Sequence, residues 1–569
     1  MVFDLLYLDG NWITDLPLND RLQLLSNIII PSPQVQLVQQ HEDGRGLFEV
    51  IRQQAMEGIV CKNLQSIYTI DGKDSRWQKI KNYGDPESVN GASRKIEKIE
   101  GNRCSDGERV GYSVIHHFHH RGALMKIQFV QTKELILTTH AGLATVGALL
   151  SHTKLTRRLN QSVVKEMESP YHSHSDVVKS YIGLLCQGKS DFDHIEPFRE
   201  DDAFPVCMQV NKVPSSPTLR QRLDAAAASE KANWNRILLE ESADLLHRID
   251  APLTGIAAGG NVYVPLDLDV SPFDNSGTKK EGVSRTYKGT DGYAPMFAYL
   301  GQEGYGVNAE LREGSQHCQK NTAEFLGQSI GYARRITDRP LLVRMDSGND
   351  SLDNLKVCHA HPGVDYIIKV NLRKTPKAAW LAVAKEKGVA CEQREGKTEY
   401  VGAIEFAHKA FDGKLRQVFH VIERTIDRHG QVLLIPEIEV DVYWVSLRCA
   451  PWRVIELYRD HGTSEQFHSE LKTDLDLERL PAGKFATNDL VLHAGLFAYN
   501  LLRVMGQESL REDDAPIRGN VKRRRIRTVI QNIVYMAARF VRHAGRIALN
   551  FGNSSPWFRT ARRIYQSYA

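Results

Sequence analysis

The sequence of 569 residues contains eight cysteines but no C-x-x-C pair. That argues against a zinc ribbon and against a disulfide framework, and fits reduced thiols. No apolar run reaches the roughly 18 residues that a membrane span needs, and Met1 opens directly on a strand-like segment without the pattern of a secretory leader. A soluble, intracellular protein with no membrane partner is therefore expected. Net charge is also in short supply. At +4 there is no overall field to draw in a polyanion, so any nucleic-acid role has to come from local clusters. With 42% hydrophobic residues the chain can bury large cores and is expected to form three or more domains.

The stretch with most chemistry is YRDHGTSEQFHSELK, Tyr458 to Lys472. Tyr458, Glu465 and Lys472 recur at intervals of seven. On an α-helix that places a phenol, a carboxylate and an ammonium on one stripe about 21 Å long. Such a stripe suits a helix that holds a divalent cation at its middle and grips phosphates at its ends, although a solvated face would give the same spacing. Upstream, NVYVPLDLDVSP alternates as a strand and puts Asp267 and Asp269 on one face near its end. Two further strands, Gly292 to Gly301 and the YGVNAELREG text, then a helix from Asn321 to Ile336, lead to PLLVRMDSGNDS, a strand that delivers Asp346 at its end. From Tyr400 to Ser446 the sequence alternates again, which predicts a β-rich insertion. Within it and just after it, Trp444 and Trp452 are expected to pack against the sheet, with stacking on an unpaired base as the alternative.

The spacing Tyr458, His461, Glu465, Lys472 resembles the Tyr-Arg-Glu-Lys signature of insertion-sequence DDE transposases with a ribonuclease H-like core. His461 stands where that family has Arg, with Arg459 adjacent. The resemblance covers Met125 to the C-terminus, including DLDLERLPAGKF and DLVLHAGLFAYNLLRVMG. It implies that Asp269, separated by one residue from Ser271, Asp346 in MDSG, and Glu465 are catalytic and hold two Mg²⁺ ions, with Mn²⁺ as an alternative. Asp267 would then matter less than Asp269. Tyr458, Arg459 and Lys472 would position the DNA strand, and so would Lys522, Arg523, Arg524 and Arg525 of the KRRRIR run. The partners implied are double-stranded DNA, as element ends and target, and a second copy of the chain in a synaptic homodimer. The expected setting is the bacterial cytoplasm, at the nucleoid.

Residues 1–83 resemble something else. VFDLLYLDG, EGIVCKN and WQKIKNY look like the later nucleotide-binding motifs of ATP-dependent DNA ligases. By that resemblance Phe3 stacks on adenine, Glu57 sits near a metal or the ribose, and Lys62, Lys79 and Lys81 face phosphates. No K-x-D-G tetrapeptide, the family's nucleophile motif, occurs in this sequence. The site would then be vestigial. Residues 84–124 show no sustained periodicity, and His116, His117, His119 and His120 are too close together to converge on one ion without a scaffold. The stretch is expected to be junction sequence, with Met125 as the start of the inserted element.

The expected fold is α/β. A ribonuclease H-like mixed sheet occupies 251–510, with the β-rich insertion at about 400–446. Helical flanking domains lie at 125–250 and 511–569, the latter basic, and a small α+β ligase-like fragment precedes them. In the first flank, Lys154, Arg157 and Arg158 belong to a helix-turn-helix or to a plain helical subdomain. The function expected is a DNA transposase. The alternatives are a ligase fragment and a non-catalytic, DNA-binding transposase remnant.

Overall fold

A computed structural model describes residues 2–31, 35–54, 56, 58–69, 77–82, 96, 110–114, 135–165, 171–427 and 429–569. The chain forms two compact units, Met1–Gln131 and Thr132–Ala569. Glu57, His116, His117, His119, His120 and Met125 lie outside the described residues.

In the first unit Gly58–Asn63 is the middle strand of a three-stranded antiparallel sheet, between Trp77–Lys81 and Val110–Val114. Its period-2 pattern sends Ile59, Cys61 and Ile80 into a small core with Phe48, Ile51 and Tyr112. The third strand comes from residues 84–124, where the sequence shows no sustained periodicity. The reason is tertiary: Tyr112 is fully buried, and its backbone N–H and C=O both bond His41 at 2.7 Å. The opening text is not one long strand either. Asp4 instead pairs with the buried Arg21 guanidinium, Nε to Oδ1 at 2.9 Å.

The second unit is α/β and is built on one large mixed sheet. Nine of its ten strands, in chain order, are β1 (Asn261–Val270), β2 (Met296–Leu300), β3 (Tyr305–Glu310), β4 (Leu341–Met345), β5 (Val364–Lys369), β6 (Val389–Arg394), β7 (Lys397–Ala407), β8 (Lys414–Ile426) and β9 (Val432–Val445); the tenth, the short Ile256–Ala258, pairs antiparallel with β1 off the main path. The nine lie in the order 3-2-1-4-5-9-8-7-6. β2 runs antiparallel to β1 and β3, while β4 is parallel to both β1 and β5. The helix Thr322–Ile336 makes the crossover that parallel pairing of β1 and β4 demands. The β-rich stretch starts earlier than expected, at Val389, and is not a separate body: β9 adds antiparallel to β5 and continues the same sheet.

The 24-residue helix Phe485–Glu508 is buried from Thr487 onward, as its near-continuous apolar text requires. It packs along β3, where the Asn500 side chain bonds both the N–H of Gly306 at 2.8 Å and its C=O at 2.6 Å. The flanking parts are not purely helical. Ile136–Thr138 pairs with Ala538–His543, which forms a hairpin with Arg546–Phe551. Helices Leu143–Ser151 and Leu155–Asn160 follow one another closely, but Arg158 of the second is taken up by Glu240 and Glu241 inside the chain.

Candidate active site

Strand register assembles the site. β1 pairs with β2 so that Asp269 faces Phe297 and Asp267 faces Tyr299. On its other side β1 pairs with β4 so that Asp267 faces Arg344 and Leu268 faces Met345. Directly opposed residues share a sheet face, so Asp267, Asp269, Phe297, Tyr299 and Arg344 form one patch. Asp346, the residue after β4, falls beside Asp269. The turn after it, MDSGND, is tight: Asn349 Nδ2 donates to Asp346 Oδ1 at 2.5 Å. A Cβ built on Gly348 would stand 3.3 Å from both Asp346 Oδ1 and Cys318 Sγ.

The signature segment lies over this patch. It is right-handed throughout but is not the single α-helix expected: Pro451–Arg459 is α, Asp460–Thr463 is 3₁₀, Ser464–Ser469 is α and Glu470–Asp474 is π. The tight and the wide turns rotate the face in opposite senses, so Tyr458 and Lys472 still look toward the carboxylates. Phe467 is buried, and a Cβ on Gly304, in the turn between β2 and β3, would meet its ring at 2.3 Å. His468 is buried between Phe297 and Tyr299. Its Nδ1 is 3.1 Å from the Tyr299 hydroxyl and its Nε2 is 3.2 Å from Asp269 Oδ2.

Asp267 and Asp269 do different work. Asp267 is buried, accepts a two-pronged bond from Arg344 (2.6 and 2.7 Å), and lies 3.0 Å from His461 Nδ1. Arg344 also donates to the Leu457 carbonyl at 2.6 Å, so Asp267 ties the signature segment to the sheet through two residues. Burial works against its charge, but Arg344 and then His461 hold its carboxyl below the usual range. Whatever its weight in cleavage beside Asp269, Asp267 therefore has a structural task of its own. His461, in the place of the family's Arg, turns inward to that tether and not toward a phosphate.

Asp269 is opposed by burial as well, yet the hydrogen bond and charge of His468, the charge of His461 and the Val270 N–H keep its carboxyl low. Asp346 is pushed up, by burial first and then by the charge of Asp269. Two half-buried carboxylates that repel one another are a donor pair suited to a hard divalent cation. Glu465 is exposed. Its charge is felt together with those of Asp269 and Asp346 at the phenol of Tyr287, which partial desolvation and then these three carboxylates push up to about 12. Among the described residues, however, no three such side chains are grouped tightly enough to hold an ion as they stand. By chemistry and placement Asp269 and Asp346 fit such a cation, while Glu465 stands exposed on the segment above them. Burial, then Asp346, the Tyr443 phenol and Asp269, raise the Tyr458 phenol far above its ordinary value. Lys472 is lowered by burial, with Glu478, Lys288 and Asp269 close enough to register.

Of the basic residues singled out, Arg459 is exposed and lies over the Trp452 ring at 5.6 Å. Trp444 packs within the sheet, its Nε1 donating to Asp350 at 2.8 Å. The KRRRIR run differs most from expectation. Arg523 bonds Glu470 at 2.9 Å and Gln466 at 2.7 Å. Arg524 is buried over Trp557. Arg525 grips Asp474 at 2.9 and 3.0 Å. Arg523 and Arg525, together with the buried Arg503, also paired to Glu470, clamp the π turn between Glu465 and the end of the segment, and of the run's residues 522–525 only Lys522 is left exposed without such a tie among the described residues. In the first unit Lys62 is buried, its ammonium over the rings of Trp77 (4.5 Å) and Phe3 (5.1 Å). Lys79 and Lys81 are exposed on the strand face opposite Ile80.

The sequence showed no sign of Arg344, whose role depends on cross-strand register. His468 could have been found, since it stands three residues after Glu465 and so on the same helical face.

With this geometry in place, comparison with known proteins gives the class. The transposase DDE domain (group 1) model matches residues 129–568, and the chain belongs to that family. The ATP dependent DNA ligase domain matches residues 1–81. Similar proteins include the SPbeta prophage-derived DNA ligase-like protein LigB of Bacillus subtilis, 32% identical over 83 residues, covering 14% of this chain and 31% of that protein. DNA ligase 4 of Saccharomyces cerevisiae is 27% identical over 186 residues, covering 31% of this chain and 19% of that protein. The chain thus spans less than a third of either relative. A solved piggyBac transposase synaptic complex with hairpin DNA aligns over 71% of this chain and 81% of that one, at 11% identity and a TM-score of 0.34. That score is too low to carry an argument.

Proposed function

We propose that the second unit is a DNA transposase that cuts and joins the ends of an insertion element at Asp269, Asp346 and Glu465. The observation that supports this is the placement of Asp269 and Asp346 at the adjacent ends of β1 and β4, with Glu465 on the Ser464–Ser469 helix of the segment that lies over them. Family membership supports it. So does the 3-2-1-4-5 order of the first five strands, which fits a ribonuclease H-like core.

Asp269, Asp346 and Glu465 would hold a pair of Mg²⁺ ions, which would supply the activation of water or a 3′-hydroxyl and the stabilisation of a leaving oxygen that displacement at phosphorus requires. The protein's part is preorganisation. His468 and the Val270 N–H fix the Asp269 carboxylate, and Asn349 fixes that of Asp346. The Arg344–Asp267–His461 tether sets the height of the signature segment above the sheet, and the arginine clamp sets its π turn. Of the basic residues that the sequence places on DNA, exposed Arg459, half-buried Lys472 and exposed Lys522 remain to meet a strand's phosphates. The test is incubation of a labelled duplex bearing the element's terminal repeat with a target plasmid in Mg²⁺. The intact chain should give cut and joined products and Asp346→Ala neither; joining by Asp346→Ala would refute the assignment.

A further inference from the structure

The excursion between β1 and β2 is not used by this chemistry. Phe273–Asp274, Ser284–Arg285 and Asp291–Tyr293 form a small antiparallel sheet, in which Arg285 faces Asp291, and the chain reverses at residues 286–290. The turn holds itself. The Thr286 N–H donates to the Thr290 carbonyl at 2.8 Å and the Gly289 N–H to the Thr286 carbonyl at 3.0 Å, with Gly289 at φ +81°. The side chains at its tip are therefore not needed to make it. Tyr287 is 69% exposed. Its hydroxyl reaches down to within 3.4 Å of the carbonyl of Val270, the neighbour of Asp269. Its ring lines a cavity of about 990 Å³ together with Asp346. Lys288 is exposed beside it, near enough to Lys472 for their charges to be felt, and has no carboxylate partner among the described residues.

An exposed ring fixed at the rim of the carboxylate site, flanked by unspent ammonium groups, combines a stacking platform with phosphate contacts, the pairing by which single strands are held. We propose that Tyr287 and Lys288 form a binding site for the DNA strand at the element's end: the Tyr287 ring stacks on the base next to the phosphate to be cut, and Lys288, beside Lys472, takes a neighbouring phosphate. This rests on the carboxylates being the strand-cutting site. Both residues are exposed, so neither substitution removes core packing, and Tyr287→Phe keeps the ring.

The test uses the full chain and a terminal-repeat duplex with 2-aminopurine at the base beside the cleavage position, titrated in Ca²⁺ in place of Mg²⁺. Wild type and Tyr287→Phe should quench the fluorescence. Tyr287→Ala should lose the quenching and bind about tenfold more weakly, and Lys288→Gln should keep it while lowering the salt slope by about 0.7–0.9. Unchanged quenching by Tyr287→Ala, with Asp346→Ala unable to cleave in Mg²⁺, overturns this inference alone. Normal cleavage by Asp346→Ala overturns the reading beneath it, and this inference too.

Discussion

Removing the Asp267 carboxylate leaves Arg344 with a single acceptor, the Leu457 carbonyl, at a place where its side chain is 3% exposed. An uncompensated buried charge of this kind costs about 3–5 kcal/mol. His461 loses its Asp267 partner at the same time. At about 2.1 cal/mol/K of unfolding entropy per residue, a unit the size of Thr132–Ala569 carries about 0.9 kcal/mol/K, so Asp267→Ala should lower Tm by about 3–5 °C. The assay is calorimetric melting, run beside strand cleavage well below the transition. Replacing both partners, Asp267→Leu with Arg344→Met, removes the stranded charge and should recover most of the loss. The pH dependence has a sign. With its carboxyl held below the usual range, Asp267 contributes stability that is complete above the unfolded carboxylate pKa and disappears as pH falls through the lower folded value; in Asp267→Asn that acid-labile part should be gone. A wild-type Tm for Asp267→Ala would refute the tether.

Asp269→Asn and Asp346→Asn should each abolish cleavage while leaving duplex binding within a few-fold of wild type, measured by gel shift. Glu470→Gln should destabilise the second unit by about 3 kcal/mol, because Arg503 is fully buried against it, and denaturant melting reads this directly. Lys522→Gln should lower the salt slope of duplex binding by about 0.9. Arg524→Gln should leave the slope unchanged and lower Tm, since Arg524 is buried over Trp557. A chain that starts at Met125 should cleave terminal duplexes as the full chain does, because the DDE match begins at residue 129; a folded but inactive product would show that the first unit takes part.

What could be read from the sequence was whatever depends on local period. β1, β2, β3 and β4, the crossover helix and the delivery of Asp346 at a strand end all followed from alternation and helical spacing. What could not be read depends on partners far along the chain. The π turn at Glu470–Asp474 is held by arginines about fifty residues later, and no local pattern announces that. The same arginines, read as a charge run, looked like a DNA-facing surface. Val110–Val114 and Ile136–Thr138 became strands only because Gly58–Asn63 and Ala538–His543 offer them an edge. Asp267 and Asp269 share a strand face, and only register, which sets Arg344 opposite Asp267, separates the tether from the proposed ligand.

The central claim is that Glu465 completes the site begun by Asp269 and Asp346, although it stands exposed. The direct measurement is single-turnover cleavage of an end-labelled terminal duplex in Mg²⁺ by wild type and Glu465→Gln, with duplex binding followed in the same samples. The account predicts equal binding and no cleavage by Glu465→Gln. Cleavage by that variant at the wild-type rate would contradict it.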